Sequence, residues 1–166
     1  IGAPDIADGT KRGDLRVLAK ERLRSRGLDC RCIRCREVGF RGVPPRPEAL
    51  TLLRTDYESS EGVEIFLSIE DPDRAVLIAY SRMRITTDVA TIRELKVLGR
   101  VVPIHETAGE RWQHRGFGRR LMGECERIAR EDFRAKAMRV TSGVGVRGYY
   151  RALGYDLQRP YMARSL

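Results

Sequence analysis

The hydrophobic period of this chain changes at Gly116, and that change decides the fold class. Before it, residues 50–57, 62–69 and 74–85 are rich in β-formers and separated by Ser59-Ser60-Glu61-Gly62 and Asp71-Pro72-Asp73. Such spacing describes an antiparallel meander. A fourth run, 91–98, alternates Ile92, Glu94 and Lys96 against Arg93, Leu95 and Val97, and a short run follows at 101–105. After Gly116, apolar Phe117, Leu121, Cys125, Ile128 and Ala129 recur at helical spacing to about residue 133. A strand at 137–141, a short helix at 146–153 and an extended stretch at 155–162 complete the chain. The expected order is β-β-β-β-α-β-α-β, an α/β sheet that is mixed but mostly antiparallel, flanked by helices, with a late crossover helix.

Residues 1–48 differ in composition from 49–166, and the two are expected to be an arm and a domain. Gly42-Val43-Pro44-Pro45-Arg46-Pro47 cannot be helix and reads as the boundary. Asp14 is placed to cap a helix that stops at Gly27, with Leu15, Leu18 and Ala19 on one face and Arg16, Lys20, Arg22, Arg24 and Arg26 around the rest. Of the net charge of +9, +5 falls in the first 48 residues, and the chain holds 28 arginines against four lysines. Arginine binds phosphate through a bidentate fork and stacks on bases, which suits a nucleic-acid or phosphate-rich partner. No apolar run approaches the roughly 18 residues of a membrane span. Ile1 to Asp8 lacks the basic and apolar regions of a signal peptide. The missing initial Met leads us to expect a piece of a longer protein.

Gln113-His114-Arg115-Gly116-Phe117-Gly118-Arg119 joins the strand region to the long helix. Its glycines let backbone approach a ligand, and its amides and the helix dipole point the same way, as an anion such as pyrophosphate requires. On this segment alone, a tight turn with glycines for steric reasons remains the alternative. Cys30, Cys32 and Cys35 form a C-x-C-x-x-C cluster. Three thiolates this close suit a tetrahedral Zn²⁺ completed by a fourth ligand from elsewhere, the alternative being three reduced thiols in a loop. Cys125, on the apolar helix face, belongs to the core.

Together with Tyr149-Tyr150-Arg151-Ala152-Leu153-Gly154-Tyr155, the glycine segment resembles the Gcn5-related N-acetyltransferase fold. More closely, these motifs, with Ser142-Gly143-Val144-Gly145-Val146-Arg147, Pro160-Tyr161-Met162 and Cys30 to Gly39, resemble the family of Elongator catalytic subunits. The resemblance spans about residues 13–162. That family modifies tRNA: a radical-SAM half carrying an iron–sulfur cluster precedes an acetyltransferase half, and together they build a carboxymethyl group on C5 of the wobble uridine. This chain looks like the second half only.

The resemblance implies a role for each matching residue. Gly116, Phe117, Gly118 and Arg119 donate amides to the pyrophosphate of acetyl-CoA, and Gln113 fixes the loop. Glu94, Leu95, Lys96 and Val97 pair through their backbone with the pantetheine arm. Tyr150 faces the thioester sulfur as general acid or hydrogen-bond donor to the departing thiolate, and Tyr149 shapes the tunnel; for either ring, core packing is the alternative. Glu94, His105, Glu106 and His114 are the candidates for a general base, and nothing in the sequence selects among them. The resemblance further implies a structural zinc near the junction of the halves, tRNA approaching the basic arm at 11–41, the radical-SAM domain as an intramolecular partner, Elongator subunits as partners in a eukaryotic source, and a cytoplasmic location. Two other readings compete: a protein lysine acetyltransferase, and a non-catalytic RNA-docking module with a vestigial CoA site.

Overall fold

Hairpin connections dictate the first half of the sheet. The computed structural model describes residues 14–99 and 116–166. The run expected at 101–105, and Gln113, His105, Glu106 and His114, lie outside them. Four strands, β1 (Thr51–Ser59), β2 (Gly62–Asp71), β3 (Val76–Thr86) and β4 (Val89–Val97), pair as an antiparallel meander. Ser60 and Glu61 turn β1 into β2 with φ of 47° and 65°. Left-handed backbone at both turn positions matches the strand twist. Helix α4 (Phe117–Glu131) then crosses over, and β5 (Ala137–Val140) pairs parallel with β4. After the single-turn helix α5 (Arg147–Arg151), the stretch expected to be one extended segment is a hairpin. Its strands are β6 (Asp156–Gln158) and β7 (Tyr161–Ser165), with Pro160, which has no ladder N–H to give, at the turn. The sheet order is β1-β2-β3-β4-β5-β7-β6. The mixed, mostly antiparallel α/β sheet flanked by helices is thus the architecture observed.

The core lies between one sheet face and α4. Ile65, Leu67 and Ile69 of β2, Ala79 and Met83 of β3, and Ala90 and Ile92 of β4 meet Leu121, Met122, Cys125, Ile128 and Ala129 of α4. Burial of each large aliphatic side chain contributes on the order of 2 kcal/mol. Burial also pushes the Cys125 thiol up to about 12, so it stays neutral in the core, 3.2 Å from Ser81 Oγ.

The chain divides into two units between Cys35 and Arg36. In the first, α1 (Leu15–Arg24) follows Asp14 as expected, although the Asp14 side chain makes no capping bond, and none of its residues is buried. Gly27 ends the turn beyond it at φ +68°. The single-turn helix α2 (Ile33–Arg36) runs across the division, and α3 (Val38–Arg41) lies in the second unit. There residues 36–49 run against the sheet: Arg36 pairs with Glu70, Glu37 bridges Leu77, and Arg46 grips the buried Asp71 through its backbone N–H, Nε and Nη2. The Arg46 guanidinium holds the Asp71 carboxyl well below the usual carboxylate range. No helix among the described residues is long and apolar enough to cross a membrane.

Candidate active site

A cleft opens where β4 and β5 part company. Their pairing ends at Ile92 opposite Val140, with a last bond from the Thr141 N–H to the Ile92 carbonyl at 3.0 Å. Among the described residues, strand β4 runs on to Val97 paired with β3 alone. Its other edge therefore presents backbone groups to the cleft rather than to a neighbouring strand.

The N-terminus of α4 faces this opening. Gly116 adopts φ +81°, a left-handed conformation that glycine reaches without penalty. Among the described residues the helix ladder starts with the Arg120 N–H donating to the Gly116 carbonyl at 2.9 Å, and it does not use the amides of Gly118 and Arg119. The cleft is about 460 Å³ and is bounded by Leu95 and Val97 of β4, by residues 116–119, and by Val146, Tyr149 and Tyr150. Its walls are apolar and one end is rich in amides at a positive helix terminus. That combination holds a molecule with an apolar arm and an anionic end.

Gly118 owes its identity to a close approach. A Cβ there would lie 2.9 Å from Tyr149 Oη and 3.8 Å from Val97 Cγ2. Tyr149 remains 39% exposed at the rim, whereas Tyr150 is 6% exposed beneath it, their rings edge to face with centroids 5.1 Å apart. Burial pushes the Tyr150 phenol up to about 12, with the neighbouring Tyr149 adding to the effect. Tyr150 therefore keeps its proton across the neutral range and can donate a hydrogen bond, but cannot serve as a base there. Burial also raises Tyr149, against the opposing pull of Arg119.

The structure brings Leu95, Val97, Gly116, Phe117, Gly118, Arg119, Tyr149 and Tyr150 to one cavity. The side chains of Glu94 and Lys96 do not line it. Glu94 lies 3.9 Å from Arg82 and 3.7 Å from Lys96, whose ammonium sits over the Tyr80 ring. Sequence reasoning missed Val146 as a wall residue; the signal available was an aliphatic side chain in a glycine-rich turn directly before the tyrosine pair.

A second site occupies the first unit. The sulfur atoms of Cys30, Cys32 and Cys35 lie within 4.8 Å of one another. Arg16 Nη2 donates to Cys32 Sγ at 3.4 Å and to Cys35 Sγ at 3.3 Å. This guanidinium draws the Cys32 thiol down to about 6. Three clustered sulfurs, one already biased toward thiolate, fit three ligands of a tetrahedral Zn²⁺.

No family model matches the chain. It is 45% identical to a tRNA uridine(34) acetyltransferase of Methanocaldococcus infernus, over 100% of this chain and 34% of that protein. It is 43% identical to the mouse Elongator complex protein 3, over 100% of this chain and 32% of that protein. The solved structure of the archaeal Elp3 of Methanocaldococcus infernus, with an N-terminal deletion, superposes with a TM-score of 0.84 at 44% identity, covering 100% of this chain and 42% of that one. The chain therefore spans about a third of the length of the curated relatives it matches. Along its whole length it is homologous to the acetyltransferase part of the Elongator protein 3 family.

Proposed function

We propose that the chain binds acetyl-CoA in this cleft as the acetyltransferase part of a tRNA-modifying enzyme, which with a radical-SAM half forms 5-carboxymethyluridine at the wobble position. The observation that carries the reading is the meeting of a parted strand edge, a helix N-terminus and a buried protonated tyrosine in one cavity. The names of the relatives support the tRNA acceptor. The amides of residues 116–119 hold the pyrophosphate, the open edge of 94–97 holds the pantetheine, and Leu95, Val97 and Val146 exclude water along the arm. Gln113, to which the resemblance assigns the holding of the loop, lies outside the described residues. When bound, acetyl-CoA supplies an acetyl thioester. Tyr150 holds a proton at Oη where a hydrogen bond to sulfur stabilises a thiolate that would be costly bare in an apolar site. Tyr149 closes the rim over Gly118. We place the enzyme in the cytoplasm, with tRNA approaching the basic arm within 1–48, where Arg16, Arg22, Arg24 and Arg26 are exposed.

Incubation of the protein with labelled acetyl-CoA tests the acceptor. tRNA should trigger release of CoA and histone tails should not; the reverse result supports a protein lysine acetyltransferase and overturns this reading. Failure to bind acetyl-CoA by titration calorimetry leaves a docking module. Phosphate contacts from the arm should make tRNA affinity fall steeply with salt, and a flat salt response removes the arm from the tRNA site.

Tyr150→Phe should lower acetyl-CoA turnover by about 10²-fold with affinity little changed, as loss of one transition-state hydrogen-bond donor does. Unchanged turnover discards the assignment. Zn²⁺ should copurify with the protein in reducing buffer, in equal proportion to chains, and chelation should lower the melting temperature. A folded protein free of metal, indifferent to a chelator, excludes the zinc site.

A further inference from the structure

Between Ile92 and Glu94 the β4 alternation changes phase. Opposite the consecutive residues Arg82 and Met83 of β3 stand Glu94 and Ile92, so Arg93 is an extra residue, a β-bulge. Before it, even-numbered Ala90 and Ile92 face the α4 core; after it, odd-numbered Leu95 and Val97 do. Unbroken pairing would have set Glu94 opposite Ser81 and Lys96 opposite Ala79, both fully buried, and turned Leu95 and Val97 out of the cleft. The walls of the cleft thus depend on the bulge staying at residue 93.

The bulge residue reaches one buried carboxylate. Glu64 of β2 is 1% exposed, yet its partners are three arginines reaching over the sheet face away from α4. Arg93 Nη1 donates to Glu64 Oε1 at 2.6 Å, across the intervening strand β3. Arg82 and Arg84 approach the same carboxylate at 4.0 Å. Among the described residues the buried Glu64 Oε2 has no hydrogen-bond partner, so the short bond from Arg93 is the main compensation for burying this charge. A bulge that slipped by one residue would withdraw the guanidinium from the carboxylate.

We propose that Glu64 and Arg93 are positioning residues for acetyl-CoA: a latch across β2, β3 and β4 that pins the bulge and so sets Leu95 and Val97 and the open β4 edge in register for the pantetheine arm. The latch rests on the acetyl-CoA reading of the cleft.

Titration calorimetry with acetyl-CoA on the wild-type protein and on Arg93→Met, Glu64→Gln, their double variant and Arg93→Lys tests it, with folding followed by circular dichroism. Misplacing a binding wall by a fraction of an ångström should weaken binding by about tenfold or more in Arg93→Met and in Glu64→Gln. The double variant should lose no more than the worse single one, because both break one device. Arg93→Lys keeps a cation within reach of Glu64 and should bind within about threefold of wild type. This rescue separates positioning from general destabilisation. Should Arg93→Met fail to fold, Glu64→Gln and Arg93→Lys carry the comparison. Wild-type affinity in folded Arg93→Met or Glu64→Gln overturns the latch, as does a loss in Arg93→Lys equal to that in Glu64→Gln. A wild-type protein that binds no acetyl-CoA instead overturns the cleft reading on which the latch rests.

Discussion

Gly118→Val is expected to weaken acetyl-CoA binding severely while the chain stays folded. Any Cβ at 118 arrives 2.9 Å from Tyr149 Oη, and the two methyl groups of valine extend further into the cleft end where the amides of α4 face a ligand. The backbone itself tolerates the change: Gly118 lies in the first turn of α4, and a helical valine costs no more in propensity than the glycine it replaces. Blocking close approach at an anion site should weaken binding by about 10²-fold or more. Gly123→Val is the control. Gly123 lies on the same helix, where an added Cβ would point into open space, and its substitution should leave affinity unchanged. Calorimetric titration of both variants decides the matter. Tight binding by Gly118→Val removes the glycine segment from the cofactor site.

Leu121→Ala is expected to have the largest effect on stability. Leu121 is fully buried on the α4 face that packs on β2, β3 and β4. Truncation removes the transfer energy of the lost carbons and leaves a cavity that the rigid sheet cannot fill, so unfolding should cost about 2–5 kcal/mol less. That is a large share of the roughly 5–15 kcal/mol of a whole domain. Leu15→Ala, on the 57% exposed surface of α1, should change stability by no more than about 0.5 kcal/mol. Urea denaturation measures both. Equal midpoints for the two variants would contradict the core assignment of α4.

The residues that announced the fold did so because their surroundings are local. The α4 stripe is Leu121, Cys125, Ile128 and Ala129 whichever way it is read, since a 3.6-residue period in a long segment has one solution. The first hairpins were likewise legible from their turn residues. Arg93 was not. In sequence, Ile92 to Val97 alternates without a break, and the expected strand carried that alternation through to its end. The phase change comes from a carboxylate two strands away, a contact no local pattern encodes. The last hairpin was merged into one strand because β6 has three residues, too few to show a period. Cysteine spacing placed Cys30, Cys32 and Cys35 together correctly, but nothing in it signalled that Arg16 would reach two of the sulfurs. In the cleft, the glycines and tyrosines stood out by type, whereas Val146 is a wall only by position.

The parallel seam between β4 and β5 has a consequence for assembly. On one side of it, β1 to β4 are joined by short hairpins and can form by local closure; on the other, β5, β7 and β6 lie close together in sequence. Among the described residues four pairs stitch the two leaves, from Val89–Ala137 to Ile92–Val140, and each joins positions roughly fifty residues apart, so the seam bears most of the loop-closure cost and should zip last. The cleft draws its walls from β4 in one leaf, from the N-terminus of α4, and from Val146, Tyr149 and Tyr150 in the segment that links β5 to β6 of the other. It comes into existence only with that final step, and a molecule lodged there works as a clasp on the slowest-forming joint of the sheet.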